Sequence, residues 1–199
     1  MKLADAGYRV VLAARRTDRL KAVADGIAER GGQAETHHLD VTDRPEVDKF
    51  AESLDRCDVF VSNAGGAIGA DTVQDSSPAE WQTMYEVNVL GTLHMTQALL
   101  PKLVASGAGT IVVLSSTAGF VAYEGGGGYV AAKHALAAFL PASAEALATT
   151  AAEAADAATA LGFPVALKIS RRTCRIRRKP AAFASAWAMR QRFARRMTR

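Results

Sequence analysis

The chain has 199 residues, 49% hydrophobic and 22% charged, a globular composition that excludes collagen-like and wholly disordered chains. No apolar run reaches the roughly 18 residues a membrane-spanning helix needs, and residues 1–7 contain no signal-peptide core, so a cytoplasmic protein is expected. The net charge of +4 hides an asymmetry: residues 171–199 hold ten arginines and Lys179 with no acid, which leaves 13 bases against 20 acids, a net of −7, for the rest.

Residues 7–14 read as a short, nearly continuous apolar strand, the kind buried on both faces of a parallel sheet. Thr17 or Asp18 is placed to cap a helix through about Arg30, with Leu20, Val23, Ile27 and Ala28 on one face. Gly31 and Gly32 stop it. Residues 33–39 form a second candidate strand, and the run from Asp40 to Pro45 turns into a helix with the proline in its first turn. Residues 58–62 predict a third buried strand, closed by Asn63, Ala64, Gly65 and Gly66. Ser77 and Glu80 have capping-box spacing around Pro78, so a helix begins there and runs into another over residues 91–105. Residues 110–114 predict a fourth strand. A glycine run at 125–128, readable as a lid or as an ordinary loop, precedes a helix starting near Tyr129. Strands alternating with amphipathic helices define an α/β fold with a parallel sheet.

Past Leu140 the texture changes. Residues 131–160 contain 16 alanines, which favour helix but specify packing poorly. A helix stop and a strand-like run follow over residues 161–169, and from Arg171 onward Phe183, Trp187, Phe193 and Met197 are scattered among arginines without a period. Three segments are therefore expected: 1–140, 141–170 and 171–199.

The most informative constellation is Ser116, Tyr129 and Lys133. Tyrosine and lysine at i and i+4 share one helix face. A free tyrosine, with a pKa of about 10, is a poor base near neutral pH. A fixed cation beside it favours the phenolate and makes the pair a usable general acid/base. Ser116, at the end of a strand, can hold a substrate oxygen by hydrogen bonding. Of the remaining candidates, His37 and His38 lack further ligands at metal spacing, Trp81 and Met84 fall at i,i+3 and are expected in the core, and Cys57 and Cys174 read as free thiols.

Five segments resemble the short-chain dehydrogenase/reductase family: residues 39–43 (Leu-Asp-Val-Thr-Asp), 58–65 (Asp-Val-Phe-Val-Ser-Asn-Ala-Gly), 87–91 (Val-Asn-Val-Leu-Gly), 111–116 (Ile-Val-Val-Leu-Ser-Ser) and 129–133 (Tyr-Val-Ala-Ala-Lys). They stand in family order and spacing across roughly residues 1–140. The resemblance implies hydride transfer between a nicotinamide cofactor and an alcohol/ketone pair. Tyr129 would be the acid/base, with Lys133 lowering its pKa and binding the nicotinamide ribose. Ser116 would orient the substrate oxygen, and Asn88 would support the proton relay. Asn63, Ala64 and Gly65 would shape the cofactor crevice, and Asp40 would approach the adenine. Arg15 and Arg16 follow the first visible strand, where an acid would bind a free ribose hydroxyl. Arginines there suit a 2′-phosphate and favour NADP over NAD.

By the same resemblance, the chain is expected to be an incomplete Rossmann-like, doubly wound parallel sheet. It lacks the family's first strand and the Gly-rich turn that cradles pyrophosphate at a helix N-terminus. Residues 151–169 weakly resemble instead a helix–strand piece of the ATP-grasp domain in ADP-forming acyl-CoA synthetases. The basic tail admits three readings: nucleic-acid binding through counterion release, an anionic membrane surface, or a frame-shifted translation, the last favoured. The sequence thus supports an NADP-dependent oxidoreductase acting on a small alcohol or ketone, of a family that is usually homo-oligomeric. The alternatives are an inactive truncated or fused fragment of such an enzyme and, more remotely, a nucleic-acid-binding protein.

Overall fold

Short runs bounded by turns supply the strands: residues 10–14, 59–62 and 110–114 are mostly apolar, whereas 34–38 (Ala-Glu-Thr-His-His) are mostly polar. The computed structural model describes residues 2–139 and, as backbone, residues 165–169. The Ala-rich stretch beyond Leu140, Cys174 and the Arg-rich tail lie outside the described residues. After a single helical turn, α1 (Lys2–Asp5), come β1 (Val10–Ala14), α2 (Thr17–Ala28), β2 (Ala34–His38), α3 (Arg44–Ser53) and β3 (Val59–Ser62). Next are α4 (Pro78–Tyr85), a π-helical turn (Glu86–Leu90), α5 (Gly91–Ala105), β4 (Thr110–Leu114), a 3-10 turn (Thr117–Gly119), α6 (Gly127–Ala138) and β5 (Val165–Ile169).

Every strand pairing is parallel, as the alternation of strands and helices predicts. Among the described residues the strands nonetheless fall into two sheets, β1–β2 and β3–β4–β5, with no ladder joining them. Val10 stands opposite Ala34 in the first, and Thr110 stands between Val59 and Val165 in the second. The strand-like run at 165–169 thus joins the sheet that carries β3 and β4. One hydrophobic core bridges the two sheets. Val47, Phe50 and Ala51 of α3, Met95, Leu99 and Leu103 of α5, and Phe60, Ile111 and Val113 of β3 and β4 pack together, with Val11 and Ala13 of β1 against them.

The division shows in burial. All five β1 residues are half-buried and Val61 of β3 is exposed, although both strands read as fully buried in sequence. A strand with one unpaired edge lacks the neighbour that would cover it.

Helix starts follow the sequence less closely than helix bodies. Thr17 and Asp18 lie inside the first turn of α2, and Arg16 takes the cap position without a side-chain hydrogen bond. Asp43 does cap α3: its carboxylate accepts the Glu46 N–H at 3.1 Å, with Pro45 in the first turn. Ser77 precedes α4, but its side chain makes no cap bond. The Glu80 carboxylate faces Gly69 instead, so no capping box forms. The glycine run before α6 is a packing device. A Cβ at Gly127 would lie 2.7 Å from the Trp81 ring, and one at Gly128 would strike the Met84 methyl. Without those side chains α6 can lie directly on α4. Among the described residues no helix is long and apolar enough to cross a membrane.

Candidate active site

The site begins with a local irregularity. Between α4 and α5 the backbone widens into a π turn, in which the Gly91 N–H bonds back to the Glu86 carbonyl, five residues away. Asn88 sits inside this turn, fully buried, and its amide nitrogen donates to the Met84 carbonyl at 2.8 Å and to the Gly66 carbonyl at 2.9 Å. One bond replaces a partner in the helix ladder, and the other ties the helix to the loop that leaves β3. The Asn88 amide oxygen is buried and has no protein partner among the described residues. It faces Gly65, at φ 156°, where a Cβ would collide with that oxygen and stand 3.4 Å from Lys133 Nζ. Only glycine keeps this space open.

Helix α6 supplies the next two groups. Tyr129 and Lys133 lie one turn apart, with Lys133 Nζ 5.6 Å from the centre of the Tyr129 ring. Lys133 is only 5% exposed, and its ammonium donates to the Leu114 carbonyl at the end of β4, 3.2 Å away. Burial pushes its pKa below the usual lysine range, because the charged form has lost water.

Ser116 follows β4 and caps the 3-10 turn, its hydroxyl oxygen accepting the Ala118 N–H at 3.2 Å. That bond occupies an acceptor lone pair and leaves the hydroxyl proton for another oxygen. The turn is seated on α6, since a Cβ at Gly119 would lie 2.8 Å from the Lys133 carbonyl oxygen. The adjacent Ser115 hydroxyl is buried without a partner among the described residues.

A second polar group gathers at the C-terminal ends of β1 and β2. The Arg15 guanidinium stands 3.8 Å from the Asp40 carboxylate, a loose and largely exposed pair. Asp40 accepts the Thr42 N–H at 3.0 Å and the Thr42 hydroxyl at 2.8 Å. Burial would raise its pKa, but these bonds, with the charges of Arg15 and His38, bring it below the ordinary value. Glu46 receives the Asp40 N–H at 3.0 Å and lies 2.7 Å from His38 Nδ1, and these contacts hold its own carboxyl below the ordinary value.

Gly65, Asn88, Tyr129 and Lys133 therefore meet, with Ser116 held on the same helix by its turn. Arg15 and Asp40 form a separate pair. Arg16 is exposed at the start of α2, and Asn63 and Ala64 are exposed on the loop after β3. Two supporting residues escape the sequence reading. Ser62 and Thr92 share a buried hydrogen bond of 3.0 Å, and Thr92 donates to the Asn88 carbonyl at 3.0 Å, bracing the π turn against β3. The spacing of Thr92, four residues after Asn88, was the available signal. Cys57 is half-buried and its thiol is raised by burial and by Asp58, as an unreactive cysteine requires. His37 packs edge-on against Phe50, with ring centres 5.2 Å apart.

The fold and the buried Asn88–Lys133 site can now be set beside known proteins. The family model of the short chain dehydrogenases matches residues 1–160. The uncharacterized oxidoreductase Rv0484c of Mycobacterium tuberculosis is 50% identical over 133 residues, covering 67% of this chain and 51% of that protein. The NADP-dependent 3-hydroxy acid dehydrogenase YdfG of Salmonella typhi is 37% identical over 131 residues, covering 64% and 52%. A solved metagenomic short-chain oxidoreductase in complex with NADP superimposes with a TM-score of 0.72 at 29% identity, covering 94% of this chain and 80% of that one. The chain belongs to the short-chain dehydrogenase/reductase family. It spans about half the length of the curated relatives it matches.

Proposed function

We propose that this chain carries the acid/base and cofactor-facing residues of an NADP-dependent oxidoreductase that interconverts a small alcohol and its ketone or aldehyde. The observation that carries the reading is the convergence of the unpartnered Asn88 amide oxygen, the open face of Gly65 and the buried Lys133 ammonium. A buried acceptor beside a buried cation, in a space that only glycine leaves free, fits the hydroxyl-rich ribose of a nicotinamide nucleotide. Arg15 and Arg16 would meet the 2′-phosphate, Asp40 the adenine end, and Asn63, Ala64 and Gly65 the crevice wall. The relatives named as NADP-dependent or solved with NADP support that choice over NAD.

The nicotinamide, when bound, accepts or supplies the hydride. The protein's part is to hold the carbinol and move its proton. Ser116 donates its hydroxyl proton to the substrate oxygen, while its oxygen accepts the Ala118 N–H that fixes its position. Tyr129 takes the carbinol proton at its phenol oxygen in oxidation and returns it in reduction. Lys133 balances the negative charge that develops on that oxygen, from a position fixed by Leu114. Asn88 holds the β3 loop against the π turn and presents its free oxygen toward Lys133.

Titration with NADPH and NADH, followed by thermal unfolding, tests the reading. NADPH is expected to raise the melting temperature in a saturable way and to outperform NADH. No shift with either at millimolar concentration would contradict it.

A further inference from the structure

The turn that carries Asp40 is tied to α5, the helix that continues from the π turn. His94 is half-buried on α5, and its Nδ1 lies 3.0 Å from the Val41 carbonyl oxygen. A carbonyl only accepts, so this ring nitrogen carries the proton and donates it. Gly91, one turn earlier, lets the two segments approach: a Cβ there would lie 3.1 Å from the Val41 Cβ and collide with a methyl group of that side chain. Asn88, one turn earlier again, holds the Gly66 carbonyl. Residues 88–94 therefore grip two loops, the one after β2 and the one after β3.

The peptide between Val41 and Thr42 is fixed at both ends. Its carbonyl accepts from His94, and its N–H donates to Asp40 Oδ1 at 3.0 Å, where the Thr42 hydroxyl also donates at 2.8 Å. A peptide unit is planar and turns as one body, so swinging the carbonyl away from His94 takes the N–H away from Asp40. The other Asp40 oxygen faces Arg15 in a loose, exposed pair at 3.8 Å, and such a pair does little to hold a carboxylate in one orientation.

We propose that His94 is a positioning residue for the adenine end of the cofactor, fixing the Val41–Thr42 peptide and, through it, the direction of the Asp40 carboxylate. The assignment rests on the function proposed above and adds to it a residue that acts through Asp40. On that reading one short segment serves both ends of the crevice, with Asn88 tying down the loop beside Lys133 and His94 the turn that meets the adenine.

Calorimetric titration of the full chain with NADP+, with amide hydrogen exchange at Thr42 followed by NMR, tests this in wild type, His94→Leu and His94→Asn. Leucine and asparagine have the same shape, and only asparagine carries an N–H donor where the ring carried Nδ1. His94→Leu is expected to weaken NADP+ binding about threefold to tenfold, the worth of one hydrogen bond, and to speed exchange at Thr42 by a similar factor. His94→Asn should return both to within about twofold of wild type. His94→Ala, which also lacks the donor, reads the same loss should the leucine variant not fold. Equal affinity in wild type and His94→Leu, unchanged Thr42 exchange, or an asparagine variant as weak as the leucine one would overturn the proposal. A wild type that binds no NADP+ would instead strike the function proposed above, and this role with it.

Discussion

The two sheets put their polar residues in opposite circumstances. Around β3, β4 and α6, Asn88 and Lys133 are buried and held by backbone carbonyls. At the ends of β1 and β2, the Arg15 side chain is 66% exposed and stands 3.8 Å from Asp40. In the first region each polar group must find its partner inside the protein, and desolvation shifts what remains charged. In the second, water and salt screen the same kind of charge, and an ion pair is worth little. On the function proposed above, the chemistry would sit where a substitution is felt by the whole fold, and cofactor discrimination where residues can change without unfolding it.

That contrast can be broken in four places. Leu103→Ala, at a fully buried position of the shared core, is expected to destabilise the protein by about 2–5 kcal/mol in urea unfolding. A loss of a few tenths would mean that the core does not bridge the sheets. Asn88→Ala strips the Met84 and Gly66 carbonyls of their donor, and a loss of about 1–3 kcal/mol is expected in the same assay.

The third test is pH. The Asp40 and Glu46 carboxyls are held below their ordinary values of 3.8 and 4.5 in the folded state, so the unfolded chain takes up protons first. Their contribution is complete above those ordinary values and is lost as pH falls through the folded pKa values. Glu46→Gln should flatten the fall in melting temperature on acidification below about pH 4.5, and an unchanged slope would contradict the network. The smallest effect is expected from Arg15→Glu, which should move stability by under about 0.5 kcal/mol. The same change should reduce the NADPH-over-NADH binding preference severalfold. A large stability loss would show that the exposed region is not the permissive one.

The sequence made some of this legible for plain reasons. The bounds of β4 fell at Thr110 and Leu114 as read, because β-branched residues there follow Gly107 and Gly109 and stop at two serines. Tyr129 and Lys133 were visible because their meeting requires only helical spacing. The π turn was not visible, since residues 78–105 read as one helix running into another, and the helices on either side are too weakly amphipathic for an inserted residue to show as a break in the pattern. Asn88 came from family resemblance alone, and its role in filling the widened turn needed coordinates. Ser77 and Glu80 carry a local signal that tertiary structure overrides, with the Glu80 carboxylate turned toward Gly69. The pairing of residues 165–169 with β4 is likewise non-local: an apolar run announces a strand and says nothing of its neighbour. The break between β1 and β3 follows the same logic, because burial on both faces depends on which strands lie alongside.

The central claim is that Tyr129 moves the substrate proton in a site that binds NADP, and single-turnover oxidation of a small alcohol that the wild type turns over, by wild type and Tyr129→Phe with NADP+ affinity measured in parallel, tests it most directly. The account predicts a rate lower by about 10²–10⁴-fold in the variant with cofactor affinity within about twofold. Equal rates in the two proteins, or a loss of rate fully explained by lost NADP+ binding, would contradict it.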